Sequence, residues 1–319
     1  MPPEFPAPLL VVLTGPTGAG KSALAMELAA QLEATLPVEI VSVDSAQVYR
    51  GLDIGTAKPD RASRARVAHH LIDIRDPSES YSAGEFVREA RSVIEAIHAR
   101  GRVPLLVGGT MLYLRALRDG LATLPPASPR VRAEIDALAA EHGWEALHAQ
   151  LAAVDAAAAA RIAPQDAQRI QRALEVFRLT GVPISQFQRA AHDTGRAFRW
   201  LGFALWPASR QGLRAQLAER FEAMMRAGLL EEVRLLHARG DLTARHPAMR
   251  AVGYRQLWQH CEGLCSLQEA VEAAVVACAQ LARRQLTWLR RDTRLERLEA
   301  GTADLSDELA RRIHASRGA

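Results

Sequence analysis

Lysine is nearly absent from this sequence of 319 residues, in which Lys21 and Lys58 are the only two lysines. Lysine and arginine together number 40, and so 38 of them are arginines. Arginine makes planar, bidentate contacts to phosphates, whereas lysine is a compact point charge on a flexible stem. An arginine excess together with abundant alanine is typical of a GC-rich genome. The positions of the two lysines are therefore more informative than the excess itself.

Cysteines are few, and no long apolar run occurs. Cys261, Cys265 and Cys278 form no C-x-x-C pair, which excludes a disulfide framework and a four-cysteine zinc site. A membrane-spanning helix needs about 20 apolar residues, and the opening MPPEFPAPLL lacks the basic segment of a signal peptide. We therefore expect a cytoplasmic, monomeric protein with no membrane partner, and 49% apolar residues are enough for a full-sized core.

The charge balance limits how the protein can bind nucleic acid. The net charge is only +4, so any such binding must come from local patches. Between Arg161 and Trp200, seven arginines stand against three acids, a local charge of 7 − 3 = +4. This stretch is therefore the first candidate for a nucleic-acid contact.

Short apolar runs alternate with helical patterns along the first third of the chain. The run LLVVLT at 9–14 contains β-branched residues and precedes a glycine-rich turn, which is typical of a buried parallel strand. Strand, helix and strand at this spacing predict right-handed crossovers and a parallel sheet. The predicted strands are 9–14, 38–43, 103–107 and 200–206, and the predicted helices of this part are 21–34, 82–100, 209–227, 229–238, 249–262 and 267–291.

After Leu121 the strand signal stops. Three helical patterns, at 130–142, 144–162 and 165–180, follow a proline-rich loop. We infer an all-helical insertion domain at 121–196. It is carried on an α/β core whose first part is 1–120 and whose completion, at 197–319, is mostly helical.

Residues 15–22, GPTGAGKS, fit the pattern G-x-x-x-x-G-K-[ST] between a strand and a helix. The glycines let successive N–H groups point inward, and the helix N-terminus adds partial positive charge, so such a loop cradles a di- or triphosphate. Lys21 is expected to reach the phosphate oxygens, and Ser22 is expected to supply a hydroxyl to Mg²⁺. The sequence thus predicts a P-loop NTPase-like core whose nucleotide- or diphosphate-binding residues are Gly15, Pro16, Thr17, Gly18, Ala19, Gly20, Lys21 and Ser22.

The loop alone does not fix the reaction. An NTPase usually holds its Mg²⁺ with an acid at the end of an apolar strand, but the third predicted strand runs into Gly108, Gly109 and Thr110. Asp44 is the acid that ends a core strand near the loop. Because ligands bind beyond the carboxyl ends of parallel strands, Asp44 and Thr110 should flank the same cleft as Lys21. Asp44 either accepts a proton from a nucleophile, ligates the metal indirectly, or caps the next turn.

Seven segments, in order along nearly the whole chain, resemble the bacterial tRNA dimethylallyltransferases, also called tRNA isopentenyltransferases. The phosphate loop is shared by many enzymes, but DSAQVYRG, GGTMLY and VGYRQ are specific to this family. The segments are GPTGAGKS at 15–22, VDSAQVYRGLDIGTAKP at 43–59, HHLIDIRDPSESYSAGEF at 69–86, LLVGGTMLY at 105–113, DAQRIQRALEVFRLTG at 166–181, RAVGYRQLW at 250–258 and RRQLTWLRR at 283–291.

The resemblance implies transfer of a dimethylallyl group from dimethylallyl diphosphate to the exocyclic amine of the adenosine on the 3′ side of a tRNA anticodon. The loop and Mg²⁺ would then hold a diphosphate leaving group. Asp44 matches the family's catalytic aspartate, and Thr17 and Lys21 join it as catalytic candidates. Arg220 matches an arginine at the diphosphate end. The family often has a basic residue four positions earlier, where this chain has Gln216.

The resemblance also implies contacts to the tRNA anticodon stem-loop, whose target base must leave the stack to react. Arg169 and Arg172 are three residues apart on one predicted helix and are expected to face the same way. A solvated helix face is the alternative there, and the same two readings stand for Arg283, Arg284, Arg290 and Arg291. The implied tRNA-binding residues are Asp44, Ser45, Ala46, Gln47, Thr110, Arg132, Gln168, Arg169, Ile170, Gln171, Arg172, Arg250, Ala251, Val252, Gly253, Tyr254 and Arg255.

Two other functions share the phosphate loop: a small-molecule kinase, and a nucleotide-gated RNA-binding protein without transfer chemistry. Among single residues, His69 and His70 are expected to form structural hydrogen bonds and not to bind a metal. Trp206, Trp258 and Trp288 are expected in the core. Tyr254 fits a core residue and a base-stacking platform equally. For position 58, the sequence gives no physical reason for a lysine.

Overall fold

The computed structural model describes residues 7–190 and 198–317. Within these ranges, six parallel strands form one sheet in the order β3-β2-β4-β1-β5-β6. Strand β1, which precedes the phosphate-binding loop, therefore lies inside the sheet between β4 and β5. The strands are β1 (Leu9–Thr14), β2 (Val38–Val43), β3 (His69–His70), β4 (Val103–Gly108), β5 (Arg199–Trp206) and β6 (Glu296–Glu299).

Helices cover both faces of this sheet, which explains why β1, β2 and β4 are buried along their whole length. On β1, Leu10 and Val12 belong to the core on one face, and Val11 and Leu13 to the core on the other. The predicted parallel α/β architecture is thereby confirmed. The helices of this part are α1 (Lys21–Leu32), α2 (Arg61–Arg66), α3 (Ala83–Ala99), α4 (Met111–Asp119), α9 (Arg210–Arg226), α10 (Leu229–Ala238), α11 (Tyr254–Cys261), α12 (Leu267–Arg291) and α13 (Leu305–Arg317).

The predicted helix at 249–262 is wrong in one respect, because it is broken in the middle. A short 3₁₀ turn at Ala248–Arg250 ends before Gly253, which has φ of 90°. This backbone conformation favours glycine and cannot continue a helix. In this part of the chain, β3, β6, α2, α4 and α13 are not predicted from the sequence.

By internal contacts the chain divides into two compact units, Met1–Leu117 with Arg196–Ala319, and Arg118–Gly195. The second unit consists of α5 (Pro129–Val154), α6 (Ala156–Ala159), α7 (Ala167–Thr180) and α8 (Ile184–Ala190) in its described part. Helix α5 kinks at Gly143, where the sequence predicted a boundary. The predicted end of the insertion at Arg196 lies outside the described residues.

The insertion has its own apolar core, centred on Ile135, Leu147, Leu151 and Ile170. The predicted helix at 144–162 is interrupted at Asp155, whose carboxylate accepts hydrogen bonds from the amides of Ala158 and Ser185.

In the part of the chain that is described, no helix is long and apolar enough to cross a membrane.

Candidate active site

The phosphate-binding loop, residues 15–20, joins β1 to α1 at the carboxyl end of the sheet. Gly18 and Gly20 have φ of 82° and 83°, in the left-handed region that favours glycine. A Cβ atom on Gly15 would lie 2.9 Å from the carbonyl oxygen of Leu205 on β5. The loop therefore passes too close to the sheet for a side chain at position 15. Backbone conformation at 18 and 20, and this close approach at 15, explain why all three positions are glycine.

Lys21 begins α1 and folds back over the loop, where its Nζ donates a hydrogen bond of 2.7 Å to the carbonyl of Pro16. Desolvation of the ammonium lowers the pKa of Lys21 from 10.5 to about 8. The negative charge of Asp44 opposes this shift, and the positive charge of Arg220 adds to it. The charges of these three residues thus act on one another at the end of the loop.

Arg220 lies on α9 and supplies the second cation of the site. Its partial burial lowers the pKa of the guanidinium, while Cys278 and Asp44 oppose the change. Within residues 7–190 and 198–317, Arg220 forms neither a hydrogen bond nor an ion pair. A partly desolvated guanidinium with unused donors is well suited to bind an oxyanion.

Asp44 follows β2 and uses its two carboxylate oxygens differently. Oδ1 accepts hydrogen bonds from the amides of Ala46 at 2.8 Å and Gln47 at 3.3 Å. This turn-capping role is the structural alternative that the sequence left open. Oδ2 accepts no hydrogen bond from the described residues, so it is free to receive one from a ligand.

The loops after β2 and β4 are joined directly. The hydroxyl of Thr110 accepts a hydrogen bond of 3.1 Å from the amide of Ser45, and the amide of Thr110 donates to the carbonyl of Val43 at 3.1 Å. A Cβ atom on Gly108 would lie 2.1 Å from that same carbonyl oxygen. Asp44 and Thr110 therefore lie on two loops that are hydrogen-bonded to each other at the carboxyl ends of adjacent parallel strands, where ligands of such sheets bind.

The comparisons with known proteins agree with this geometry. A family model described as IPP transferase matches residues 47–292, about three quarters of the chain. The chain belongs to the IPP transferase family.

Individual relatives match nearly the whole length of the chain. A tRNA dimethylallyltransferase of Bordetella petrii is 56% identical over 285 residues, which are 88% of this chain and 89% of that protein. One of Methylococcus capsulatus is 53% identical over 308 residues, 97% of each.

Solved structures show the same fold. The full-length tRNA isopentenylpyrophosphate transferase of Bacillus halodurans has a TM-score of 0.68 at 35% identity, covering 97% of this chain and 95% of that one. A eukaryotic dimethylallyltransferase acting on tRNA has a TM-score of 0.77 at 25% identity, covering 97% and 79%. The predicted P-loop NTPase-like α/β fold is confirmed.

The segment 250–255 contains two exposed arginines and a buried tyrosine. Arg250 and Arg255 are exposed, whereas Tyr254 is fully buried. The Tyr254 hydroxyl donates to Glu232 Oε1 at 2.5 Å and accepts from the amide of Gly55 at 3.1 Å. Burial, and then the nearby charge of Glu232, raise the pKa of Tyr254 well above its usual value. The base-stacking reading of Tyr254 is therefore wrong, because its ring has no free face.

Gln47, predicted to contact tRNA, is tied into its own loop. Its Oε1 accepts from the hydroxyl of Ser42 at 2.9 Å, and its Nε2 donates to the carbonyls of Thr56 and Ala57. Ser45 beside it is exposed. The side-chain amide of Gln47 thus links the 44–47 turn to Ser42 and to the backbone of residues 56–57.

In the insertion, Arg132 and Arg172 converge on Glu175, which has no exposed side-chain surface. Arg132 Nε lies 2.9 Å from Oε1, and Arg172 Nη1 lies 2.5 Å from Oε2. Burial alone raises the pKa of Glu175, but the bonds from the two arginines and from the amide of Ser128 outweigh it and hold the pKa below its usual value. These arginines therefore stabilise the insertion itself.

Arg169 is more exposed than Arg172, at 67% against 27% of the side chain. Among the described residues, Arg169 forms an ion pair with Asp166 alone, at 3.2 Å. Ile170 is fully buried in the insertion core, so its side chain is not available to a ligand. The other two residues of this predicted contact are Gln168, which is exposed, and Gln171, which donates to Asp136.

The residues present fit a magnesium ion that is held mainly by a substrate. Ser22 lies exposed on the first turn of α1, and its hydroxyl forms no hydrogen bond with the described residues. The described ranges gather no three His, Cys, Asp or Glu side chains that could hold a metal by themselves. Magnesium commonly keeps several waters and takes one or two protein ligands together with substrate phosphates, and Ser22 suits that mode.

The remaining single-residue expectations are mostly confirmed. His69 Nδ1 is hydrogen-bonded to the carbonyl of Val67, and His70 Nε2 to Glu39. Trp258 is buried, but Trp288 is 40% exposed, and so the core reading of Trp288 is wrong. Trp206 is partly buried, with the guanidiniums of Arg290 and Arg297 above its ring.

The residue that the sequence analysis missed in the site is Gln285. It occupies an inward position of α12, at the helical spacing of Ala282, Leu286 and Leu289, and is buried. A glutamine among apolar residues on the inner face of a helix is the signal that could have identified it. Buried side-chain amides require partners, and the partners of Gln285 are in the loops of the active site.

Proposed function

We propose that this chain is a tRNA dimethylallyltransferase. It transfers the dimethylallyl group of dimethylallyl diphosphate to the exocyclic N6 amine of the adenosine on the 3′ side of the anticodon. The observation that carries the proposal is the phosphate-binding loop with Lys21 folded over it, its Nζ bonded to the carbonyl of Pro16. The charges of Asp44 and Arg220 act on this ammonium. The names of the relatives agree with it.

The reaction breaks the bond between C1 of the dimethylallyl group and the diphosphate oxygen, and it forms a bond from C1 to N6. The diphosphate leaves with the bonding electrons. Its developing charge is stabilised by N–H groups of the loop, the ammonium of Lys21 and the guanidinium of Arg220. No water needs to be activated, which accounts for glycines and a threonine at the end of β4 where a hydrolase would have an acid.

Asp44 orients the nucleophile and takes up its proton. The lone pair of an adenine amine is delocalised into the ring, so the amine attacks poorly unless a base accepts one of its hydrogens. Oδ1 of Asp44 is fixed by the amides of Ala46 and Gln47, which holds the carboxylate still while Oδ2 faces the ligand. Thr17 adds a hydroxyl at the loop.

A bound Mg²⁺ would neutralise part of the diphosphate charge and so assist its departure. Ser22 would hold it, together with the substrate phosphates. We further propose that the enzyme acts as a monomer in the cytoplasm, where it would meet tRNA.

For the tRNA, the exposed arginines are the contacts that the structure favours. Arg169, Arg250 and Arg255 carry charges that are open to solvent, and such charges bind the phosphate backbone with strong salt dependence. The target adenosine must leave the anticodon-loop stack, which costs less in a single-stranded loop than in a duplex.

The test is incubation of the protein with an unmodified tRNA transcript, dimethylallyl diphosphate and Mg²⁺, followed by digestion and mass spectrometry of the nucleosides. We expect adenosine heavier by one C5H8 unit, and none from a transcript with guanosine at the target position. A kinase would instead place radiolabelled γ-phosphate from ATP on a product. An RNA-binding protein without transfer chemistry would bind the transcript and yield neither.

A further inference from the structure

One side chain, Gln285 of α12, bridges two loops of the active site. Its Oε1 accepts a hydrogen bond of 2.8 Å from the amide of Thr17 in the phosphate-binding loop. Its Nε2 donates a hydrogen bond of 2.8 Å to the carbonyl of Gly109, just after β4. The two contacts span 268 and 176 residues of sequence, so this amide fastens together segments that are remote in the chain.

The bridge has one orientation only. The amide of Thr17 is a donor and needs the carbonyl oxygen of Gln285, while the carbonyl of Gly109 is an acceptor and needs the NH2 group. A Cβ atom on Gly109 would lie 2.4 Å from Gln285 Nε2. The second glycine of the segment 108–110 is thereby explained, since any side chain there would displace the bridging amide.

The surroundings make the bridge rigid. Gln285 is 9% exposed and sits between Leu286 and Ala282 on the buried face of α12. Its neighbours Arg283 and Arg284 point to solvent. A side chain locked by packing and by two backbone partners holds those partners at a fixed separation, as an active site of this kind requires.

We propose that Gln285 is a positioning residue: it sets the distance between the phosphate-binding loop at Thr17 and the β4 loop at Gly109, and so aligns the diphosphate with the amine held at Asp44. This inference rests on the proposed function. Gln285 contacts no reacting atom itself; it acts through the backbone of Thr17. Loss of the bridge should lower the rate of transfer, because small misplacements of a reacting group cost catalysis steeply.

Gln285→Met keeps the length of the side chain and removes both hydrogen bonds. We expect kcat/KM for dimethylallyl diphosphate to fall by about tenfold or more, and the dissociation constant of inorganic diphosphate, measured by calorimetry, to rise. The matched control is Gln268→Met on the same helix. The side chain of Gln268 is exposed and donates a hydrogen bond to Glu272 one turn away. The control should leave both quantities within about twofold.

The variant Gln285→Glu tests whether the hydrogen bonds of Gln285, and not its packing, set the activity. A protonated carboxyl reproduces the amide, with a carbonyl acceptor for Thr17 and an O–H donor for Gly109, whereas the ionised form places a negative oxygen against the Gly109 carbonyl. The activity of Gln285→Glu relative to wild type should therefore rise as the pH falls, while that of Gln285→Met stays flat.

The outcomes separate this inference from the proposed function. If the wild-type protein forms no prenylated adenosine, the proposed function fails, and the diphosphate titration still tests the bridge. If the wild-type protein is active and Gln285→Met keeps kcat/KM and diphosphate affinity within about twofold, the positioning role is refuted. A pH-independent ratio for Gln285→Glu would also overturn it.

Discussion

The ammonium of Lys58 lies 2.6 Å from Oδ1 of Asp73, and only 1% of the Lys58 side chain is exposed. Two further acceptors surround the same Nζ: Asp53 Oδ1 at 2.5 Å and the carbonyl of Tyr49 at 2.8 Å. Three acceptors converging on one buried point match the three donors of an ammonium. This explains the second lysine of the chain, because a planar guanidinium cannot direct donors to all three within the same volume.

Replacing Lys58 with Arg should therefore destabilise the protein although the charge is kept. Overpacking of a filled site costs about 1–3 kcal/mol, which we expect in the free energy of unfolding from urea titration. Arg64→Lys is the control, since Arg64 bonds the same Asp73 but is 32% exposed. The control should cost less than about 1 kcal/mol. If Lys58→Arg were as stable as wild type, the three acceptors around Lys58 Nζ would not require a lysine.

The depressed pKa of Lys21 predicts a pH limit for substrate binding. Desolvation lowers this pKa to about 8, so the free enzyme loses the ammonium charge as the pH rises through that value. The kcat/KM for dimethylallyl diphosphate, which reports free-enzyme groups, should therefore fall above about pH 8. The kcat/KM of Lys21→Met should be low at every pH and should not fall further above about pH 8. A flat wild-type profile from pH 7 to about pH 9.5 would contradict the role of the ammonium.

Alanine substitution should destabilise the protein more at Arg172 than at Arg169. Arg172 donates to the buried Glu175 and to the carbonyl of Pro125, so Arg172→Ala should lower the free energy of unfolding by about 1–3 kcal/mol. Arg169→Ala removes an exposed ion pair with Asp166 and should cost less than about 1 kcal/mol.

The same two variants should differ in tRNA binding. Arg169→Ala should reduce the slope of log affinity against log salt by about one, as measured by filter binding. Arg172→Ala should leave the slope unchanged wherever the insertion stays folded. An unaltered slope for Arg169→Ala would remove this residue from the RNA contact.

The sequence predicted the elements whose pattern is strong and local. Strand β1 is buried at every position because helices cover both faces of the sheet, and five of its six residues are apolar. Helix α12 keeps helical spacing over 25 residues. Strand β6 was missed because it lies at the edge of the sheet, where only Leu298 of its four residues is buried. Strand β3 has two residues, His69 and His70, too few for any periodicity.

For the site, the sequence predicted the phosphate-binding loop and Asp44 but not what surrounds them. The motif encodes the loop in eight consecutive residues, and so its geometry is local. The bridge of Gln285 depends on a contact across 268 residues, which no local pattern records. The ion pair of Arg132 with Glu175 likewise joins residues 43 apart in the chain, and so the sequence could not reveal it.

Asp44→Asn tests the central claim that Asp44 activates the amine for prenyl transfer. The asparagine oxygen can still accept from the amides of Ala46 and Gln47, so the turn is kept while the charge of the carboxylate is lost. The measurement is the single-turnover rate of tRNA prenylation with both substrates saturating, beside calorimetry of diphosphate binding. We expect a rate at least ~100-fold below wild type, with diphosphate affinity largely kept. A rate within about twofold of wild type would contradict it.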